Sequence, residues 1–153
     1  MLVQPDYEDM LQSLNRADVK YCIIGSFALA FHATPRYTKD IDILVEPTLD
    51  NGKRIIKALE DFGFGELDLR PEDFAVKGSI VQLGFEPVRI DLITSVAGLS
   101  FQSIWEDRIH GVYGQTPTFF ISREHLIECK INAGRPQDLL DVDLLRSISS
   151  GSV

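Results

Sequence analysis

Charged and apolar residues alternate from Asp40 to Ile43, and the stretch then continues as an apolar run to Val45. Successive side chains of a strand point to opposite faces of its sheet, so Asp40 and Asp42 share one face while Ile41 and Ile43 share the other. At about 3.3 Å per residue, the two aspartate Cα atoms are about 6.6 Å apart. The stretch therefore predicts a strand with one buried face and two neighbouring carboxylates on the other.

The spacing of apolar residues along the whole chain predicts a mixture of helices and strands. Predicted helices cover 5–17, 27–32, a segment from Thr48 or Asp50 to Gly63, 101–108, 122–133 and 136–149. Predicted strands cover 19–24, 40–45, 79–83, 88–93, a segment near Val112, and 118–121, and a single helical turn is expected near Pro71. Strands 79–83 and 88–93 form a hairpin, which favours a mixed α+β sheet over a doubly wound parallel one. We expect a single domain over 1–149 and a tail over 150–153.

Composition limits the partners of this chain. Among 153 residues, 44% are apolar and 23 acidic residues outnumber 15 basic ones, which gives a net charge of −8. Binding to a long nucleic acid relies on many basic side chains, so this balance argues against it. It favours a basic binding partner or a small ligand carried with cations, and a free nucleotide with Mg²⁺ fits the second. No apolar run reaches the roughly 20 residues of a membrane span, and no secretory signal is visible. We therefore expect a soluble, cytoplasmic protein.

A third carboxylate extends the predicted pair. Asp91 lies between apolar neighbours in strand 88–93, and an adjacent strand about 4.8 Å away would bring it beside Asp40 and Asp42. Three such carboxylates suit two-metal phosphoryl transfer, with Mg²⁺ or Mn²⁺ favoured over Zn²⁺ by an all-oxygen ligand set, and Asp91 is a candidate base. The alternative is that Asp40 and Asp42 only cover the solvated face of a strand.

Gly25 and Ser26 follow the first predicted strand and precede a short helix. Because glycine has no Cβ, the backbone at Gly25 allows phosphate oxygens to come close, and the Ser26 hydroxyl and the free N–H groups of the helix point at the same anion. This pair therefore predicts a phosphate-binding turn. The alternative is that Ser26 is simply a helix cap.

The pattern of Gly25-Ser26, a thirteen-residue spacer, Asp40-Ile41-Asp42-Ile43 and the later Asp91 resembles the nucleotidyltransferase superfamily of DNA polymerase β. The resemblance implies a mixed sheet with helices packed mainly on one face, a Gly-Ser turn that binds the triphosphate, and three aspartates that bind two Mg²⁺ ions. The segment 130–138, with Asp141 and Leu144 after it, further resembles the minimal bacterial nucleotidyltransferases of the abortive-infection and toxin–antitoxin type. That second resemblance associates Lys130 and Asp138 with the nucleotide.

Other candidates for nucleotide binding have ordinary structural alternatives. Arg36 and Thr38 precede the aspartates, where a guanidinium or a hydroxyl reaches β- and γ-phosphates, although Arg36 also fits a plain surface loop. Lys130 is equally consistent with a helix residue paired with Glu124 or Asp138. Asp138, which follows Pro136 at a helix start, is also an ordinary acidic residue of a first turn.

These observations predict a Mg²⁺-dependent nucleotidyltransferase that moves a nucleoside monophosphate from an NTP to an acceptor hydroxyl on a protein or an RNA, including a toxin–antitoxin setting. One alternative is a catalytically inactive module of the same fold that binds nucleotide or protein. Another is a hydrolase that uses the same cations with water as the acceptor.

Overall fold

A computed structural model describes residues 3–34, 40–65, 67–85 and 88–148 of the chain. In chain order the described helices are α1 (Pro5–Arg16), α2 (Gly25–His32), α3 (Leu49–Phe62), α4 (Phe101–Glu106), α5 (Arg123–Ala133) and α6 (Pro136–Ser147). The described strands are β1 (Tyr21–Ile24), β2 (Asp40–Val45), β3 (Ile80–Phe85), β4 (Val88–Ile93), β5 (Ile109–Tyr113) and β6 (Thr116–Phe120), and Pro71–Phe74 forms a single 3-10 turn. Pro87 of the predicted hairpin connection and the predicted tail lie outside the described residues.

The six described strands form one mixed sheet in the order β3-β4-β2-β1-β6-β5. Strand β2 pairs parallel with β4, and β1 pairs parallel with β6, while the other neighbours are antiparallel. The hairpin of β3 and β4 is confirmed. The predicted α+β class with a mixed sheet is confirmed as well, because parallel and antiparallel pairs occur side by side.

Local sequence signals account for the long helices. In α1, Pro5 occupies the first helical turn, where its missing N–H costs no hydrogen bond, and the predicted stripe that includes Met10 and Leu14 is buried in the core. In α3, the side chain of Thr48 accepts a hydrogen bond from the backbone of Asn51, so Thr48 rather than Asp50 is the cap. The helix ends at Gly63, whose φ of +109° is left-handed.

The entry into α2 differs from the prediction. The helix begins at Gly25 instead of Phe27, and Ile24 occupies the cap position without any side-chain cap. The reason is the left-handed φ of Gly25, +69°, which turns the chain from β1 directly into the helix. Ser26 therefore lies inside the first helical turn, and the interpretation of Ser26 as a helix cap is wrong.

Two further boundaries differ. The predicted helix 101–108 ends at Glu106, and the edge strand β5 starts at Ile109. None of the helices within the described ranges is both long and apolar enough to cross a lipid bilayer.

Candidate active site

Two parallel neighbouring strands bring the three predicted carboxylates together. Asp40 and Asp42 lie on β2, Asp91 lies on β4, and the strand register places Asp91 directly opposite Asp42. One carboxylate oxygen of each residue lies within 4.8 Å of the others. Ile41 and Ile43 are buried on the opposite face, as the alternation predicts. We call Asp40, Asp42 and Asp91 the carboxylate triad.

The electrostatics of the triad are unfavourable for three charged carboxylates. The pKa of Asp42 is raised from 3.8 to about 6, first because burial penalises the charged form and second because Asp40 and Asp91 repel its charge. The nearby Arg89 lowers this pKa only in part. A cation in the triad would remove this repulsion, so the arrangement favours cation binding.

Arg89 belongs to the site, although no role was predicted for it from the sequence. Its guanidinium donates to both oxygens of Asp91, from Nε to Oδ1 at 3.2 Å and from Nη2 to Oδ2 at 3.0 Å. The charge and hydrogen bonds of Asp91 in turn raise the pKa of Arg89. The pairing of Arg89 with Asp91 could have been predicted from the sequence, because residues two apart on a strand share a face and Arg89 precedes Asp91 by two. Its pairing with Asp91 holds this carboxylate in one orientation.

The Gly25 turn borders the triad. Ile24 pairs with Asp42 across the antiparallel strands, and a Cβ atom added to Gly25 would lie only 2.5 Å from Oδ2 of Asp42. Any larger residue at Gly25 would therefore displace Asp42, in addition to the strain of a positive φ. The first turn of α2, with its unpaired backbone N–H groups, consequently starts beside the carboxylates.

The residues present fit a divalent cation. Three carboxylate groups offer only oxygen ligands, which suits Mg²⁺ or Mn²⁺. Burial and the neighbouring charges of Asp40 and Asp91 raise the pKa of Asp42, and a bound cation would oppose both effects. Asp40, Asp42 and Asp91 are thus the residues that could hold the metal.

Lys130 and Asp138 meet in a second charged cluster, formed by α5 and α6. The Nζ atom of Lys130 lies 2.9 Å from Oδ2 of Asp141 and 3.6 Å from Oδ1 of Asp138, and the Lys130 side chain is only 13% exposed. Arg135 also donates to Asp138, with Nε and Oδ2 2.6 Å apart. We call Lys130, Arg135, Asp138 and Asp141 the α5–α6 cluster.

The sequence predicted Glu124 or Asp138 as the partner of Lys130. In the structure, Lys130 pairs with Asp138 and also with Asp141. The structure thus joins Lys130 to Asp138, while their association with the nucleotide stays a prediction. Arg36 and Thr38 lie outside the described residues, so their expected phosphate contacts also stay predictions.

A mixed sheet that presents converging carboxylates beside a glycine turn defines the nucleotidyltransferase class of proteins. Within this class, the model of the family described as "Nucleotidyltransferase of unknown function (DUF6036)" matches residues 3–149. The chain belongs to this family and is therefore a nucleotidyltransferase. The predicted resemblance to nucleotidyltransferases is confirmed, whereas the toxin–antitoxin type stays a prediction.

Solved structures share the fold. The lincosamide antibiotic adenylyltransferase LnuA, solved with lincomycin, is 18% identical over 97% of this chain and 99% of its own, with a TM-score of 0.61. The antibiotic-resistance factor ANT(2'')-Ia is 14% identical over 94% of this chain and 82% of its own, with a TM-score of 0.60. A Thermotoga maritima protein assigned as a nucleotidyltransferase is 14% identical over 95% and 94%, with the same TM-score of 0.60.

At these identities the likeness establishes the fold alone. No curated protein sequence matches the chain.

Proposed function

We propose that this protein transfers a nucleoside monophosphate from an NTP to an acceptor hydroxyl and releases pyrophosphate, with Mg²⁺ as the cation and Mn²⁺ as a substitute. The observation that carries the proposal is the convergence of the carboxylate triad within 4.8 Å beside Gly25. Two bound ions are expected from the resemblance to the polymerase β superfamily. The negative charge of the chain is compatible with a small nucleotide substrate.

The position of each site residue determines its proposed role in the transfer reaction. The triad would hold the cations, which when bound would offset its repulsion and stabilise the charge that develops on the transferring phosphoryl group. The backbone at Gly25 and the hydroxyl of Ser26 hold the triphosphate at the start of α2. The acceptor oxygen forms a bond to the α-phosphorus, the bond to the β-phosphate oxygen breaks, and Asp91 takes up the acceptor proton.

Further contacts to the nucleotide are assigned from the sequence pattern. Arg36 and Thr38 are proposed to bind the β- and γ-phosphates, because a guanidinium and a hydroxyl are ordinary phosphate donors. Lys130 is proposed to present its charge to the nucleotide, with Asp138 fixing its position. The contact of 3.6 Å between Lys130 and Asp138 supports this division of roles.

Two classes of acceptor are candidates. The resemblance to minimal bacterial nucleotidyltransferases predicts a hydroxyl on a protein or an RNA, within a toxin–antitoxin system of the cytoplasm. Two structural neighbours, solved with lincomycin and with adenylyl-2"-tobramycin, favour a small molecule instead.

The experiment incubates the purified protein with labelled NTPs, Mg²⁺ and a cell extract as the source of acceptors. We expect pyrophosphate release and labelled product, and a loss of at least about 100-fold in the Asp40→Asn/Asp42→Asn variant, because the transition-state charge is no longer stabilised. Asp61→Asn, an exposed change at the end of α3, is the matched control with unchanged activity. Equal labelling by wild type and the triad variant would contradict the proposal.

The same experiment separates the alternatives. Label on protein or RNA supports the toxin–antitoxin prediction, and label in the small-molecule fraction supports the second class of acceptor. NTP binding without pyrophosphate release indicates an inactive binding module. Release of phosphate or pyrophosphate without a labelled acceptor indicates a hydrolase.

A further inference from the structure

A cavity of about 400 Å³ lies at the C-terminal ends of β2 and β4, where Leu44 of β2 and the loop after β4 line it. Leu44, which lines it, lies two residues after Asp42 on β2. Residues two apart share a strand face, and their Cα atoms are about 6.6 Å apart. The cavity therefore begins one side chain away from the triad. We call it the Leu44 cavity.

The loop after β4, which forms part of the cavity wall, is held by hydrogen bonds. The N–H of Ser79 donates to Oγ1 of Thr94 at 2.8 Å, and Nδ2 of Asn132 donates to the carbonyl oxygen of Ala97 at 2.8 Å. The volume of the cavity falls within the roughly 300–1,000 Å³ of small-molecule sites.

The position of the cavity relative to the Gly25 turn matches the geometry of the reaction. Because β1 runs antiparallel to β2 and Ile24 pairs with Asp42, the chain turns at Gly25 toward the N-terminal end of β2. Leu44 lies on the other side of Asp42, toward the C-terminal end. In an in-line displacement, the attacking oxygen and the leaving pyrophosphate are on opposite sides of the phosphorus. With the triphosphate at Gly25, an acceptor in the Leu44 cavity would lie on the other side of Asp42 from the leaving pyrophosphate, as in-line displacement requires.

The lining indicates the chemistry of the occupant. Apolar side chains of Leu44, Val96, Leu99 and Phe101 form much of the wall. Among the described residues that line the cavity, only Lys77 is charged. An apolar body fits such walls, a carboxylate is favourable near Lys77, and a polycation has no carboxylate partner in the lining.

We propose that the Leu44 cavity binds the acceptor, and that this acceptor is a small molecule with an apolar body, a hydroxyl directed at the triad, and a neutral or anionic far end. This inference rests on the proposed function. The hydroxyl oxygen forms the bond to the α-phosphorus, pyrophosphate leaves, and the proton passes to Asp91. The cavity thereby selects a small molecule over the protein or RNA predicted from the sequence.

Binding is tested first with three phenols of similar size that differ in charge: para-ethylphenol, para-hydroxyphenylacetate and tyramine. Trp105 is the one tryptophan of the chain and stacks on Phe101 with ring centroids 5.8 Å apart, so its fluorescence reports occupancy. The titrations use the Asp40→Asn/Asp42→Asn protein. There the remaining charge of Asp91 is paired with Arg89, and the result does not depend on catalysis.

We expect the anion to bind at least as tightly as the neutral phenol, and the cation to bind at least about threefold more weakly. Lys77→Met should abolish the difference in affinity between the anion and the cation, whereas Lys53→Met, at another exposed position, on α3, should not. Val96→Phe should weaken all phenols by about tenfold, because the larger side chain fills the cavity. Absence of binding by every probe, or tightest binding of tyramine, overturns the proposal.

The last arm introduces Val96→Phe alone into the otherwise wild-type protein and measures transfer with labelled ATP. We expect a lower kcat/KM for the small-molecule acceptors of the extract and an unchanged Kd for ATP. A weaker Kd for ATP instead makes the cavity a nucleoside site, and label confined to protein or RNA makes the acceptor a macromolecule; both overturn the inference. If the wild type transfers nothing, the proposed function fails, whereas the phenol titrations still decide whether the cavity has the stated selectivity.

Discussion

The protein contains two clusters of aspartates whose charges are balanced in opposite ways. In the carboxylate triad, the guanidinium of Arg89 pairs with Asp91, and Asp40 and Asp91 both repel the charge of Asp42. The α5–α6 cluster sets two carboxylates against two cations, Lys130 and Arg135, for a sum of −2 + 2 = 0. The pKa of Asp42 is raised to about 6 in the first, and hydrogen bonds from Arg135 lower the pKa of Asp138 in the second.

The difference separates a cluster whose carboxylates still repel one another from a cluster whose charges are already compensated by ion pairs between two helices. Compensated ion pairs that connect two helices fix how those helices pack, and they need no ligand. Carboxylates that repel each other lower the stability of the empty protein, and a bound cation recovers that free energy. The comparison therefore makes opposite predictions for removing charge from each cluster.

The largest expected effect is on stability in the α5–α6 cluster. Lys130→Met leaves Asp141 and Asp138 buried with less positive charge, so we expect the free energy of unfolding to fall by about 3 kcal/mol, as for other broken buried ion pairs. Urea unfolding monitored by circular dichroism measures this change. Lys53→Met, at an exposed position of α3, is the control, with an expected change within about 0.5 kcal/mol. Similar values for both variants would mean that the cluster does not join the helices.

The second prediction concerns cation affinity, which should distinguish the clusters most directly. Asp42→Asn removes one of three ligands and should weaken Mn²⁺ binding by about 100-fold, which corresponds to about 3 kcal/mol. Asp141→Asn should leave Mn²⁺ affinity unchanged, because the charge of Asp141 is already paired with Lys130. Calorimetric titration measures both. Equal losses in the two variants would contradict the assignment of the metal site to the triad.

The triad was predictable from the sequence because its signals are local. Alternation along β2 defines which side chains share a face, and the apolar neighbours of Asp91 mark a second buried strand, so only the pairing of β2 with β4 had to be assumed. The partners of Lys130 were not predictable to the same degree. Its shortest ion pair, with Asp141, depends on how two helices cross, which no short-range spacing encodes.

Arg89 and Ser26 show two further limits. The role of Arg89 appears only once Asp91 is recognised as a site residue on the same strand face. The position of Ser26 depends on the left-handed φ of Gly25, because a turn of ordinary geometry would have left Ser26 free to cap α2. The location of Ser26 within the helix therefore depends on the backbone conformation of Gly25, which composition and residue spacing do not predict.

The third prediction tests the close contact between Gly25 and Asp42. Gly25→Ala combines the strain of a positive φ with a Cβ placed 2.5 Å from Oδ2 of Asp42, so we expect a loss of about 2 kcal/mol in unfolding free energy and weaker Mn²⁺ binding. Gly63→Ala is a matched control, because Gly63 also has a positive φ but nothing lies within 4 Å of its added Cβ. It should lose stability through strain alone and keep its Mn²⁺ affinity. Unchanged Mn²⁺ affinity in Gly25→Ala would mean that the close contact between Gly25 and Asp42 does not affect metal binding.

The smallest expected effect is a pH-dependent gain in stability at Asp42. The pKa of Asp42 is about 6 in the folded protein against 3.8 as its ordinary value. Between these values the folded state binds a proton that the unfolded state has released, so raising the pH through this window lowers the stability of the metal-free protein. Asp42→Asn removes that penalty. In EDTA we expect it to raise the unfolding free energy by about 1–2 kcal/mol at pH 8, after allowing for solvent screening of a half-buried group, and to change it little near pH 4. Asp61→Asn, at an exposed carboxylate, should show no such dependence. A gain of equal size at both pH values would mean that ionisation of Asp42 does not destabilise the metal-free protein.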